Sequence, residues 1–324
     1  MHIAITGAAG FLGNKLARQL LKNGKLLGRS GKPEAISRIT LADVTAVTGI
    51  SDPRVHTVVG NISDPQTIAS IVTPDTDSIF HLAAIVSGQA EAEFDLGMTV
   101  NFDATRSMLE RIRSLETRPR MVFTSSVAVF GGPLPTSVPD TMATLPQSSY
   151  GTQKAMCELL ISDYSRRGYL DGRTLRLPTI SVRPGLPNKA ASSFASGIIR
   201  EPLAGQAAVC PVHGDTRMWL MSPQQAVNNL IHGHELEASK FGFTRTISLP
   251  GLSVKVRDMV AALERVAGVD VAQRIEWTED EAIKRIVNSW PGDFDTQRAT
   301  ELGFTSDEDY DSIIRAYIHD QQTS

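Results

Sequence analysis

The sequence predicts an α/β fold, a doubly wound parallel sheet carrying a smaller C-terminal lobe, and three observations lead there. Short apolar runs alternate with helical patterns through about residue 180, the mark of βαβ units and a parallel sheet. The first of these runs leads directly into Gly7, Gly10 and Gly13 ahead of a helical pattern. Past Pro178 the alternation breaks, and Pro184, Pro187, Pro202 and Pro211 punctuate a more irregular stretch.

Taken in order, strands are expected over residues 3–6, 38–42, 55–59, 78–82, 120–124 and 173–177. Helices are expected over 11–23, 65–71, 91–115 and 150–167. In the second part the sequence predicts a helix over 193–203, a strand over 246–249, an amphipathic helix over 256–267 and two more helices near the end. No internal repeat or low-complexity tract interrupts this order.

Composition narrows the class. Hydrophobic residues make up 41% of the 324 and charged ones 21%, ordinary values for a globular protein able to bury a large core. A net charge of -3 leaves no basic footprint for nucleic acid or an anionic membrane. The two cysteines, Cys157 and Cys210, are too few for a disulfide scaffold and fit a reducing compartment. Cys157 falls behind Tyr150 on a helix, where a small buried hydrophobe is expected. No stretch approaches the ~20 apolar residues of a membrane helix. The first residues read as a strand and not as a targeting signal, so the expected location is the cytoplasm.

The glycines carry the first chemical signal. In Thr6-Gly7-Ala8-Ala9-Gly10-Phe11-Leu12-Gly13, Gly7 allows the tight turn and Gly10 lets backbone amides approach a pyrophosphate. Gly13 lets the helix pack on the strand. A helix N-terminus then faces the anion with free N–H groups. This is the dinucleotide cradle of a Rossmann-type sheet. Asp43, at the end of the second long strand, can accept hydrogen bonds from the adenosine ribose hydroxyls and would repel a 2′-phosphate, so the expected cofactor is NAD. Residues 25–33 read as a surface insertion that delays this acid. Arg29 and Lys32 precede the strand and are poorly placed to serve a phosphate. The chain thus divides into a dinucleotide-binding part, 1–178, and a mainly substrate-binding lobe, 179–324, with later segments crossing back.

Tyr150 and Lys154 carry the second signal. Their spacing puts phenol and ammonium on one helix face, and a nearby cation is expected to lower a phenol pKa that is ~10 when free. Tyr150 could then exchange a proton at neutral pH. Ser125 and Ser126 end the fifth of these strands, where a hydroxyl can steady a substrate oxygen as charge develops on it.

These residues resemble the extended short-chain dehydrogenase/reductase superfamily, of the NAD-dependent epimerase/dehydratase type, over most of the chain. The resemblance implies that Ser126, Tyr150 and Lys154 are catalytic. It also implies that Gly7, Gly10, Phe11, Leu12, Gly13, Asp43, Asn61, Ile62, Leu82, Ala83, Asn101, Ser125, Tyr150, Lys154 and Pro178 serve the cofactor. Leu82 and Ala83 belong to His81-Leu82-Ala83-Ala84, a motif of that family beside the cofactor. Asn61 stands at the adenine-contact position, where the family usually has an aspartate.

Two departures bear on the substrate. Nucleotide-sugar enzymes of the family follow the sixth strand with an aromatic pair and an asparagine, whereas here the run is Leu177-Pro178-Thr179-Ile180. Their later Arg-Asp-Phe pattern is here Arg217-Met218-Trp219. The stretch from Arg176 to Pro211 resembles instead a subgroup that oxidises a four-carbon sugar acid at C2. A sugar acid calls for one guanidinium for its carboxylate. Arg183 is the first candidate and Arg217 the second. Ser87, Ser126, Tyr150, Thr179, Asn188 and Ser192 are candidate partners for its hydroxyls. No metal is implied, and a homodimer pairing the helices of Asn101 and Tyr150 is expected from the resemblance. The alternative is a nucleotide-sugar 4-epimerase using the same Tyr150 and Lys154.

Overall fold

A computed structural model gives the fold and describes residues 1–28, 30–185 and 190–323. Its first part contains β1 (His2–Thr6), α1 (Phe11–Asn23), β2 (Lys25–Leu27), β3 (Pro33–Ala35), β4 (Arg38–Asp43), β5 (Val55–Val59), α2 (Pro65–Ile71) and β6 (Ser78–His81). Then come α3 (Ser87–Ala92), α4 (Phe94–Gly97), a π-helical turn (Met98–Asp103), α5 (Ala104–Leu115), β7 (Arg120–Ser126), α6 (Ser149–Arg166) and β8 (Asp171–Leu177). The second part holds β9 (Thr179–Ile180), α7 (Phe194–Leu203), β10 (Ala208–Cys210), β11 (Arg217–Met221), α8 (Pro223–Glu235), β12 (Thr246–Ser248) and β13 (Leu252–Lys255). It closes with α9 (Val256–Ala267), α10 (Val269–Ala272), β14 (Ile275–Trp277), α11 (Glu281–Val287), α12 (Gln297–Glu301) and α13 (Tyr310–Thr323).

Seven strands form one parallel sheet in the order β12-β8-β7-β6-β1-β4-β5. The chain winds outward from β1 in one direction, returns, and winds outward in the other, so a switch point falls between β1 and β6. Every residue of β1 is buried, as a central strand covered on both faces requires. Alternation then sorts the core. Ile3, Ile5, Phe80 and Val122 face α1 and α8 through Leu16, Leu20, Val227 and Leu230. Ala4, Ile79, Met121 and Phe123 face α2, α5 and α6 through Ile68, Met108, Leu109 and Ile161.

A separate apolar cluster joins Val182, Phe194, Ile198, Met218, Leu220, Met259, Leu263 and Ile313 in the second part. There the proline-rich stretch holds more structure than its sequence announces. β9, β11 and β13 make a three-stranded sheet, and β10 pairs with β14. Strands of two to five residues are too short to show a period in sequence. β12 crosses back to pair with β8 and forms the edge of the large sheet.

Two earlier elements also differ from expectation. In place of the expected surface insertion, β2 pairs with β3 as an antiparallel hairpin, and its Leu26 is buried. The helix expected over 91–115 is broken into α3, α4, the π-helical turn and α5. Asn101 lies in that wide turn, where its side chain ties down Ile85 and Gln153, and wide turns of this kind are common at functional sites.

Candidate active site

A cavity of about 520 Å³ is lined by residues at the C-terminal ends of β1, β4, β6, β7 and β8, around the switch point. Its floor is the turn after β1. Gly7 has φ 71°, and a Cβ there would lie 2.8 Å from the Ala83 nitrogen. A Cβ on Gly13 would lie 2.3 Å from the Gly7 carbonyl oxygen. Backbone packing alone therefore demands these two glycines. Gly10 differs. Its backbone is extended, an added Cβ would come no closer than 3.2 Å to another group, and the residue lines the cavity. The helix that follows has no side-chain cap and no acid in its first turn. Its opening amides, at the positive end of the dipole, suit a pyrophosphate.

Asp43 lines the same cavity, one strand over from the glycine turn. Its carboxylate accepts the Ala9 N–H at 2.9 Å and the Thr45 N–H at 3.3 Å, which fixes it at the edge of the cradle. Asn61, Ile62, Leu82, Ala83, Ser125 and Pro178 also line the cavity. An uncapped helix start, a glycine floor and an adjacent carboxylate fit NAD.

Tyr150 and Lys154 stand one turn apart on α6, whose N-cap Ser148 accepts the Gly151 N–H at 3.2 Å. A Cβ on Gly151 would lie 2.0 Å from the Ala128 carbonyl oxygen, so this glycine lets α6 press against the segment after Ser126. Ser126 Oγ accepts the Ala128 N–H at 3.1 Å and bonds the Tyr150 phenol. Lys154 is buried and donates to the Thr124 carbonyl at 2.8 Å. Its ammonium lies 4.5 Å from the centre of the Phe123 ring and 5.7 Å from that of Tyr150. Burial pushes the Lys154 pKa down to about 8. It pushes the Tyr150 pKa up to about 12, against the opposing hydrogen bond from Ser126. The expectation that Lys154 lowers the phenol is thus not met in the chain by itself: desolvation outweighs the Ser126 hydrogen bond, and the Lys154 ammonium is turned toward Thr124.

Below this pair, burial and then the Lys154 charge push the His81 pKa down to about 3. His81 meets the Thr6 and Thr105 hydroxyls at 2.7 and 3.0 Å. Thr105 donates to the Asn101 carbonyl, so the proton of the neutral ring sits on Nε2.

Two expectations need correction. Asn101 does not line the cavity. It stands one layer behind, its side chain held by both backbone groups of Ile85 and donating to the side-chain amide oxygen Oε1 of Gln153. Arg217 does not line the cavity either. It is exposed at the start of β11 and donates to Ser253 Oγ at 3.0 Å.

Arg183 does line the cavity, with Ser87, Thr179 and Ser192. No acidic group among the described residues pairs with its guanidinium. Burial, and then the like charge of Arg200, push its pKa down to about 10, so it stays charged at neutral pH. Asn188 and Arg29 lie outside the described residues. The sequence reading missed Trp290, which lines the cavity from the second part of the chain, and nothing in its local sequence marks it.

A model of the NAD dependent epimerase/dehydratase family matches residues 3–221. The chain belongs to that family and is an NAD-dependent oxidoreductase. Its particular relatives are specific. It is 57% identical over 320 residues, 99% of this chain and 98% of the relative, to a Cupriavidus necator protein named D-erythronate dehydrogenase. A Haemophilus influenzae protein of the same name is 46% identical over 319 residues, 98% of this chain and 99% of the relative. A solved structure from Agrobacterium tumefaciens, described as a nucleoside-diphosphate-sugar epimerase, superposes with a TM-score of 0.91 at 46% identity. That match covers 100% of this chain and 95% of the other.

Proposed function

We propose that the chain oxidises D-erythronate at C2 to 2-oxo-tetronate, with Tyr150 as the proton-transfer group. The observation that carries a sugar-acid substrate is Arg183, an arginine of the cavity wall that no acid among the described residues neutralises. A buried unpaired charge is costly, and a planar guanidinium suits a carboxylate best. The two D-erythronate dehydrogenase relatives at 57% and 46% identity support the same substrate.

The positions of these residues around the cavity support the following proposed roles. Gly10 and the first amides of α1 hold the pyrophosphate, Asp43 the adenosine ribose, and Asn61 and Ile62 the adenine. Lys154 holds the nicotinamide ribose. NAD, when bound, would supply the hydride acceptor, and its positive nicotinamide charge would oppose the upward push of burial on Tyr150. Arg183 takes the C1 carboxylate, and Ser87, Thr179 and Ser192 meet the remaining hydroxyls. Ser126 hydrogen-bonds the C2 oxygen while Tyr150 removes its proton. We also propose a cytoplasmic homodimer joined through α5 and α6. Leu159 on α6 leaves a large apolar side chain 72% exposed, and light scattering tests the dimer.

Replacing Arg183 with Met should raise KM for the sugar acid by the equivalent of ~2–4 kcal/mol, and Lys should restore only part of it. An unchanged KM in the Met variant would remove Arg183 from the carboxylate. The 4-epimerase reading is favoured by the name of the Agrobacterium structure. Net NADH formation from D-erythronate, with none from a UDP-hexose, separates the two. Epimerised UDP-hexose without net NADH reverses the assignment.

A further inference from the structure

Beneath the proposed site lies a charged pair that its chemistry does not use. Tyr150, Lys154 and Glu158 follow at four-residue intervals and share one face of α6. Glu158 is 5% exposed and Arg176, on β8, 8% exposed. Arg176 forks onto the carboxylate, Nε to Oε1 at 2.9 Å and Nη2 to Oε2 at 2.7 Å. Ser125 Oγ donates to Oε1 at 2.5 Å. The guanidinium also lies 4.7 Å over the Phe130 ring.

Burying such a pair rarely adds stability over an apolar replacement of the same volume. Its location points to another use. The pair clamps α6, β7 and β8 together directly behind the cavity wall. Ser125 is the neighbour of Ser126, and Arg176 lies two residues before Pro178.

The charges around Lys154 sharpen the point. From α6 it faces the Tyr150 phenol, the Cys157 thiol and Glu158. Burial pushes the Cys157 thiol up to about 11, so it is neutral. From β6 it faces neutral His81, and from β7 the Phe123 ring and the Thr124 carbonyl. The π-helical turn and α5 contribute Asn101 and Thr105, neither of them charged. β8 contributes Arg176, whose guanidinium is paired with the Glu158 carboxylate. Among the described residues packed here, Glu158 is the group that brings negative charge.

We infer that Glu158 is a positioning residue whose carboxylate, oriented by Arg176 and Ser125, keeps the Lys154 ammonium charged where it stands on the same face of α6. This rests on the proposed role of Lys154 at the nicotinamide ribose. It extends that role to a group which touches neither cofactor nor substrate.

The test is NADH binding, followed by nicotinamide fluorescence from about pH 6 to pH 9.5. Lys154 is charged below its pKa, so wild-type affinity should be full at low pH and fall as pH rises through it. Glu158→Gln keeps the size and an acceptor for Ser125 but removes the charge, and the fall should come about one pH unit lower. Arg176→Met removes the competing cation, and the fall should move upward. Opposite displacements from two halves of one pair are not produced by loosened packing. Uniformly weaker binding at every pH, with the midpoint unmoved in both variants, overturns the inference, as does displacement of both in one direction. Should Glu158→Gln fail to fold, the direction in Arg176→Met alone decides. A wild type whose NADH affinity ignores pH fails differently, since it removes Lys154 from the ribose and the underlying assignment with it.

Discussion

Gly10→Ala separates binding from folding more cleanly than any other change to the cradle. The residue has φ -66° and ψ 156°, which alanine adopts without strain. The closest contact of the new methyl would be the Gly7 carbonyl oxygen at 3.2 Å, a fit tight by a few tenths of an ångström. Against it stands the smaller conformational freedom of alanine in the unfolded chain, about 0.4–1 kcal/mol in favour of the fold. The melting temperature should therefore move by no more than about 2–4 °C. Binding should suffer far more, because the methyl occupies space where a phosphate oxygen approaches the open amides. Losing one or two charge-assisted hydrogen bonds, about 2–4 kcal/mol together, weakens NADH binding roughly 30- to 1,000-fold. Gly13→Ala is the contrast. Its Cβ would sit 2.3 Å from the Gly7 oxygen and 2.7 Å from the Ala8 Cα, so α1 must shift and about 1–3 kcal/mol of stability or more is lost. Calorimetry for stability and fluorescence titration for NADH would be run on both variants. A Gly10→Ala protein that binds NADH like the wild type would show that the pyrophosphate does not lie on this turn.

Two further outcomes are expected. Tyr150→Phe should lower turnover by a factor on the order of 10² or more while NADH titration stays near wild type, and retained turnover would assign the proton to another group. Asp43→Ser should weaken NAD and narrow its advantage over NADP in parallel kinetic runs. Because Asp43 also holds the Ala9 amide, a modest fall in melting temperature should accompany it. A wild type preferring NADP in those runs would contradict the ribose assignment.

The large sheet was legible because most of its strands are buried runs, most of them set apart by helices with clear periods, and the glycines advertise a backbone geometry few other residues permit. The choice between Arg183 and Arg217 was not. Each borders a short apolar segment, Arg183 after one and Arg217 before one, and only packing decides which is exposed. Arg217 starts a strand whose other four residues are buried, while Arg183 follows β9 at the cavity wall. The pKa of Tyr150 was misjudged because spacing reports the presence of a cation and says nothing of desolvation. For Glu158 a signal did exist, a carboxylate one turn beyond Lys154 on a face already known to be buried. Its partner Arg176 lies on another element, and that pairing requires the fold.

The return of the chain through β12 has a consequence for how the protein is made. When β8 leaves the ribosome its outer edge has no partner, and the strand that will cover it arrives only with residues 246–248. Ala299 and Phe304, later still, pack into the same core as β1 and α1. The cofactor half is thus completed by residues near the far end of the chain, and until they emerge a nascent chain presents an open sheet edge and a partly bare apolar layer. A premature stop at position 290 would spare every glycine of the cradle and still leave the half that contains them unfinished.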